Sequence, residues 1–249
     1  MKIGILEAGL IRDELADRFD PYPAMYARFL GLAGRDLEFD AVSVVRGEVA
    51  ASIHDCDGWL ITGSRHGVYE NLDWMTPLQE FIRELAEARV PLVGICFGHQ
   101  IIAQALGGNV VKSDKGWGVG LHRYRIDQAR IWMEARPQHT SLYAFHQDQV
   151  IELPESAQVF ASSEFCPYAG LSYGDSIISV QAHPEFEEAY MTALLDQYGG
   201  SIVPIEIANA ARESMAGGQR ADTQMLANWI AEFFLSFEAQ VAPDSVASN

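Results

Sequence analysis

The stretch Val90-Pro91-Leu92-Val93-Gly94-Ile95-Cys96-Phe97-Gly98-His99-Gln100 limits the fold more than any other part of the chain. An apolar run of strand length meets Cys96, and a helical pattern leaves directly after it, with Ile102, Ala105 and Leu106 on one side until Gly107-Gly108 stops it. Glycine stands two residues before and two after the cysteine. That spacing lets a chain turn sharply from strand to helix and hold one side chain at the carboxyl edge of a sheet.

The remaining pattern agrees with an α/β fold: short apolar runs alternate with amphipathic ones, as in a mostly parallel or mixed central sheet flanked by helices in a flavodoxin-like layering. Strands are expected at Lys2–Leu6, Phe39–Val45, Gly58–Ile61, Leu92–Ile95, Leu121–Ile126, Ser141–Phe145, Val159–Ser162 and Ile177–Gln181. Thr76-Pro77-Leu78-Gln79 reads as a helix start with Thr76 as cap and Gln79 closing a capping box. Leu78, Phe81, Ile82 and Leu85 then form one apolar stripe. A last helix, about 221–237, carries Met225, Leu226, Trp229, Ile230, Phe233 and Phe234, a stripe read as core packing.

The 249 residues fit one large domain, with a catalytic unit over 1–190, a helical extension over 191–240 packed on it, and a small polar tail over 241–249. A formal net charge of -17 would repel a phosphate backbone or an anionic lipid surface, so neither nucleic acid nor membrane is an expected partner. No apolar run approaches a bilayer span, Glu7 interrupts the start before a signal peptide could form, and three cysteines are too few for a disulfide scaffold. The expected location is the cytoplasm.

Each cysteine is then a possible reactive thiol. Cys96, beside a helix N-terminus whose free N–H groups favour negative charge, is the candidate nucleophile. Cys56 sits between Asp55 and Asp57, which disfavour a thiolate, and Cys166 has no marked base. The cysteines and seven histidines show no metal-ligand spacing, so no metal and no cofactor are expected. A thiol nucleophile needs a base within hydrogen-bond reach. His183, at the end of a strand in Gln181-Ala182-His183-Pro184-Glu185, is the best placed, and strand alternation would set Glu185 on its side to orient the ring. Gly116-Trp117-Gly118-Val119-Gly120 lacks the ending of a phosphate loop and reads as a turn. Arg65 and His66 are exposed candidates for shaping an entrance.

Gly94-Ile95-Cys96-Phe97-Gly98-His99-Gln100 resembles the nucleophile motif of the class I, triad-type glutamine amidotransferases, and His183-Pro184-Glu185 resembles their base and acid in the same chain order. Ile61-Thr62-Gly63-Ser64 is similar to their oxyanion loop. The resemblance covers about residues 1–190 and points to the glutaminase domain of GMP synthetases and its stand-alone relatives. It implies a sheet of seven or more strands and a Cys96–His183–Glu185 triad cleaving the γ-amide of glutamine through a γ-glutamyl thioester. The oxyanion donors would be the N–H groups of Phe97 and of Gly63 or Ser64. Gln100 and the segment Phe145-His146-Gln147 would meet the amino-acid end of the substrate. Phe145 stands where the family commonly has serine, and Ala182 where it often has an aromatic residue. His146 is also compatible with a structural role, and His99 is read as packing at the helix start.

The family hands ammonia to a synthetase, and these residues contain no P-loop and no pyrophosphatase-type Ser-Gly-Gly stretch. One implied partner is therefore a separate synthetase subunit, which would accept the ammonia. A γ-glutamyl peptidase acting on γ-glutamyl conjugates is the alternative enzyme, and a non-catalytic regulatory or ammonia-channel subunit is the alternative of another class.

Overall fold

The computed structural model describes residues 1–134 and 136–241. Among them the strands are β1 (Lys2–Leu6), β2 (Glu38–Val42), β3 (Gly58–Ile61), β4 (Leu92–Ile95), β5 (Asn109–Lys112), β6 (Gly118–Ile126), β7 (His139–His146), β8 (Asp148–Glu152), β9 (Ala157–Ser162), β10 (Gly170–Tyr173) and β11 (Ile177–Val180). The helices are α1 (Asp13–Ala16), α2 (Tyr22–Gly31), α3 (Met75–Ala88), α4 (Phe97–Ala105), α5 (Glu188–Tyr198), α6 (Ile205–Ala216) and α7 (Thr223–Val241). Nine strands form one mixed sheet in the order β2-β1-β3-β4-β11-β10-β9-β6-β7, and β5 pairs with β8 separately. From β2 to β11 neighbouring strands run parallel; β10, β9, β6 and β7 continue antiparallel. The two halves meet at β11.

The central strands are apolar at nearly every position because both faces are covered, and successive side chains serve opposite cores. In β3, Trp59 and Ile61 join Leu78, Ile82, Ile101 and Ile102 of α3 and α4, while Leu60 faces α2 and α7 with Tyr26, Trp229, Phe233 and Phe234. A third cluster, with Val119, Tyr143, Phe186, Tyr190 and Leu195, joins α5 and α6 to the antiparallel end. The α7 stripe is core: Leu226, Trp229, Ile230, Phe233 and Phe234 are all buried.

Several expectations need correction. The second strand stops at Val42, and Val44–Arg46 is a turn of 3-10 helix. Thr76 does not cap α3: the helix begins two residues earlier than expected, with Trp74 at the cap and no side-chain capping bond. Burial of Met75 and the Trp74 ring on Phe97 set that start instead. Gly118–Gly120 opens β6 rather than extending a turn. The 190/191 boundary falls inside α5. The helix predicted to end at 237 runs to Val241, and the rest of the predicted tail lies outside the described residues.

Candidate active site

Cys96 sits between β4 and α4 with φ 52° and ψ -100°, a left-handed conformation that costs an L-residue about 1–3 kcal/mol and persists only where its surroundings over-determine it. Here they do. Its N–H donates to Val180 O at 2.9 Å and its own carbonyl accepts from Gln100 N at 3.1 Å. A Cβ on Gly94 would lie 2.6 Å from the Gly98 carbonyl, and one on Gly98 would lie 2.4 Å from Ile61 O. The two glycines flanking the cysteine thus let the helix start pack directly on β4 and β3.

Because β4 and β11 are parallel neighbours with Ile95 opposite Val180, the segment leaving β11 passes beside Cys96. The strand ends at Val180, so strand alternation does not place Glu185. His183 is held by an isolated bridge to β7, with its N–H donating to Tyr143 O at 2.8 Å, and the turn that follows brings Glu185 back to it. His183 Nδ1 then lies 2.7 Å from Glu185 Oε1, with both side chains buried. Phe186 stacks flat on the imidazole at 4.0 Å. Burial opposes charge on His183, but the charges of Cys96 and Glu185 outweigh it and push the ring up to about 10. With Nδ1 on the carboxylate, the other ring nitrogen is left for the thiol.

Two residues not singled out from the sequence complete this core. Gln181 is wholly buried, and its Nε2 donates to Cys96 Sγ at 3.5 Å. Tyr26 of α2 donates its hydroxyl to Glu185 Oε1 at 2.8 Å and accepts from Gly63 N–H at 3.1 Å. One hydroxyl therefore ties the acid to the loop after β3. A buried glutamine at the end of an apolar strand was a readable signal for Gln181; nothing local distinguished Tyr26.

The other expected residues divide. Cys96, Ser64, Gln100, His146, Gln147 and His183 line one crevice of about 280 Å³ that also takes in Phe145. Gly63 lies behind His183, where a Cβ would come within 2.9 Å of the ring. Its N–H donates to the Tyr26 hydroxyl rather than into the crevice, contrary to its expected place in the oxyanion hole; Ser64 is the next N–H along the loop. Phe97 turns its side chain into the core, but as the first residue of α4 its N–H has no partner within the helix. Gln100 Nε2 is engaged by Asp148 O at 2.9 Å and Gln181 Oε1 at 3.1 Å, so its amide nitrogen braces Gln181.

His146 and His99 are buried, and burial first of all holds each near about 3, which keeps them neutral. His146 Nδ1 meets Asp148 O at 3.1 Å and His99 Nδ1 meets Ser179 Oγ at 2.8 Å. Arg65 is exposed, whereas His66 is half-buried and paired with Glu70 at 2.9 Å. Burial more than its acidic neighbours raises Cys56, and burial pushes Cys166 to about 12.

The sequence profile described as "Glutamine amidotransferase class-I" matches residues 27–198, a span holding every residue of this core except Tyr26. The chain belongs to the class I glutamine amidotransferase family. Among its family relatives, gamma-glutamyl peptidase 3 of Arabidopsis thaliana is 33% identical over 170 residues, covering 66% of this chain and 68% of the relative. A glutamine-hydrolyzing GMP synthase subunit of Archaeoglobus fulgidus is 31% identical over 152 residues, covering 61% and 78%. A glutamine amidotransferase of Thermotoga maritima shares the fold with a TM-score of 0.71 at 18% identity, covering 94% of this chain and 97% of that one. The relatives of this amidotransferase-family chain thus include γ-glutamyl peptidases, glutamine amidotransferases and GMP synthase subunits. No helix among the described residues is long and apolar enough to cross a membrane.

Proposed function

We propose that the chain is a cysteine-dependent hydrolase of γ-glutamyl amides. The observation that carries this reading is the buried His183, bonded to Glu185 at 2.7 Å and lining the same crevice as Cys96, which sits at the strained turn into α4. His183 takes the thiol proton, and Cys96 Sγ adds to the γ-carbonyl carbon. The N–H groups of Phe97 and Ser64 receive the developing oxyanion, the kind of donor whose loss costs about 10²–10³ in rate. The carbon–nitrogen bond then breaks as His183 returns the proton to the departing amine. Water, deprotonated by the same histidine, cleaves the γ-glutamyl thioester to glutamate and regenerates the thiol. Glu185 acts by fixing the ring and stabilising its charge.

Between the two substrates open to this chemistry, γ-glutamyl conjugates are favoured over free glutamine by the similarity to γ-glutamyl peptidases across two thirds of the chain. Glutaminase activity feeding a synthetase subunit is the second reading, supported by the similarity to the archaeal GMP synthase subunit. The test is release of glutamate from glutamine and from a γ-glutamyl dipeptide. The expected result is turnover of the dipeptide that falls at least about 10³-fold in Cys96→Ser. Glutamine-only turnover would establish the second reading, and turnover that survives the substitution would overturn both.

A further inference from the structure

The crevice is lined by two chemically different groups of residues. One, Glu70, Lys112 and Asp148, supplies charges of both signs, suited to an α-amino acid group. The other starts at the His183–Phe186 stack and continues through Tyr190, which meets Phe186 edge-on at 4.7 Å. Leu194 and Tyr198 follow at four-residue steps along the same face of α5. Phe145 packs on Tyr198 at 6.5 Å, Trp117 on Phe145 at 5.4 Å, and the Arg12 guanidinium lies over the Tyr198 ring at 4.6 Å. Trp117, Phe145 and Arg12 are only half-buried, and Leu10 and Ile202 on the same crevice are 37% and 46% exposed. Arg12 has no acidic partner among the described ion pairs.

The position of this aromatic wall assigns its use. His183 must deliver its proton to the leaving nitrogen, so the leaving group lies on the histidine side of the scissile bond, where the wall begins. Ammonia leaving from glutamine has no body to bury there. An amine with an apolar body does, because aromatic rings and exposed apolar side chains gain by being covered. A planar guanidinium lying on a ring keeps its donors free for a carboxylate.

We propose that Arg12, Trp117, Phe145 and Tyr198 form a leaving-group subsite that selects γ-glutamyl conjugates whose amine carries an apolar or aromatic body and a carboxylate, which reassigns Phe145 from the amino-acid end where the family resemblance put it. The proposal rests on the γ-glutamyl amide hydrolase reading above and names the substrate class of that site. The reaction is unchanged: water adds across the γ-amide, glutamate takes the hydroxyl, and the amine leaves with the proton passed through His183.

The test compares kcat/KM for γ-glutamyl-phenylalanine, γ-glutamyl-glycine, γ-glutamyl-phenethylamide and glutamine, in the native protein and in Arg12→Gln and Tyr198→Ala. The native enzyme should prefer γ-glutamyl-phenylalanine to both γ-glutamyl-glycine and the phenethylamide by about tenfold or more. Arg12→Gln should collapse the preference over the phenethylamide, and Tyr198→Ala the preference over γ-glutamyl-glycine. Glutamate release from all four compounds at similar efficiency would overturn the subsite and leave the hydrolase reading standing. So would equal losses on all substrates in Arg12→Gln, which would put the guanidinium on the glutamyl carboxylate. Absence of Cys96-dependent release from any of the four would overturn both.

Discussion

Tyr26 makes no described hydrogen bond to thiol or imidazole, yet its hydroxyl is shared between Glu185 and the Gly63 N–H. Tyr26→Phe removes a charge-assisted donor from a buried carboxylate and an acceptor from a buried N–H, a change worth about 1.5–3 kcal/mol. Orientation of His183 should suffer more than substrate binding. The expected outcome in steady-state kinetics is a fall in kcat of about tenfold with KM changed by less than about threefold. A KM effect alone would place Tyr26 outside the triad. At this scale the sequence declared what it concentrates locally, since Gly94, Cys96 and Gly98 stand within five residues and His183 and Glu185 within three. It hid what the fold assembles from afar, because Tyr26 and Glu185 are 159 residues apart and their contact exists only once α2 lies on the sheet.

The turn into α4 shows what an element demands of its residues. Gly98→Ala would press a Cβ to 2.4 Å from the Ile61 carbonyl, a backbone atom that cannot swing aside. We expect a loss of at least about 2 kcal/mol in urea unfolding. Gly107, past the end of α4, has φ 100° and open space around it, so Gly107→Ala should cost only the left-handed strain of about 1–2 kcal/mol. Equal, small effects at both glycines would contradict the close packing of helix on strand. Strands with apolar residues throughout, such as β3 and β4, were legible from sequence, whereas β5 and β8 were not. Both are half-exposed, and their pairing of Lys112 with Asp148 and of Val110 with Val150 joins segments with no shared local pattern. Thr76 illustrates the converse, a capping signal present in sequence and overridden by the burial of Met75.

For the whole molecule, buried histidines set opposed responses to pH. His99 and His146 stay neutral in the fold down to about 3, whereas in the unfolded chain they take up protons near 6.5. Between those values the unfolded state binds more protons, so stability falls as pH drops below about 6.5. His183 is raised to about 10, so its stabilising contribution is complete below about 6.5 and is lost as pH rises through about 10. Thermal melts should therefore show a maximum near pH 6.5. In His183→Gln the alkaline decline should become shallower while the acid decline remains; an unchanged alkaline slope would refute the imidazolium assignment.

The parallel pairing of β4 with β11 is also a statement about chain connectivity. Ile131, 91% exposed, lies between the two strands in sequence, after Cys96, the proposed nucleophile, and before His183, its proposed base. A polypeptide nicked there would carry the sulfur on one fragment and the imidazole on the other. Turnover recovered on mixing the fragments would then count the molecules in which those two strands have found each other again, making the enzyme its own reporter of reassembly.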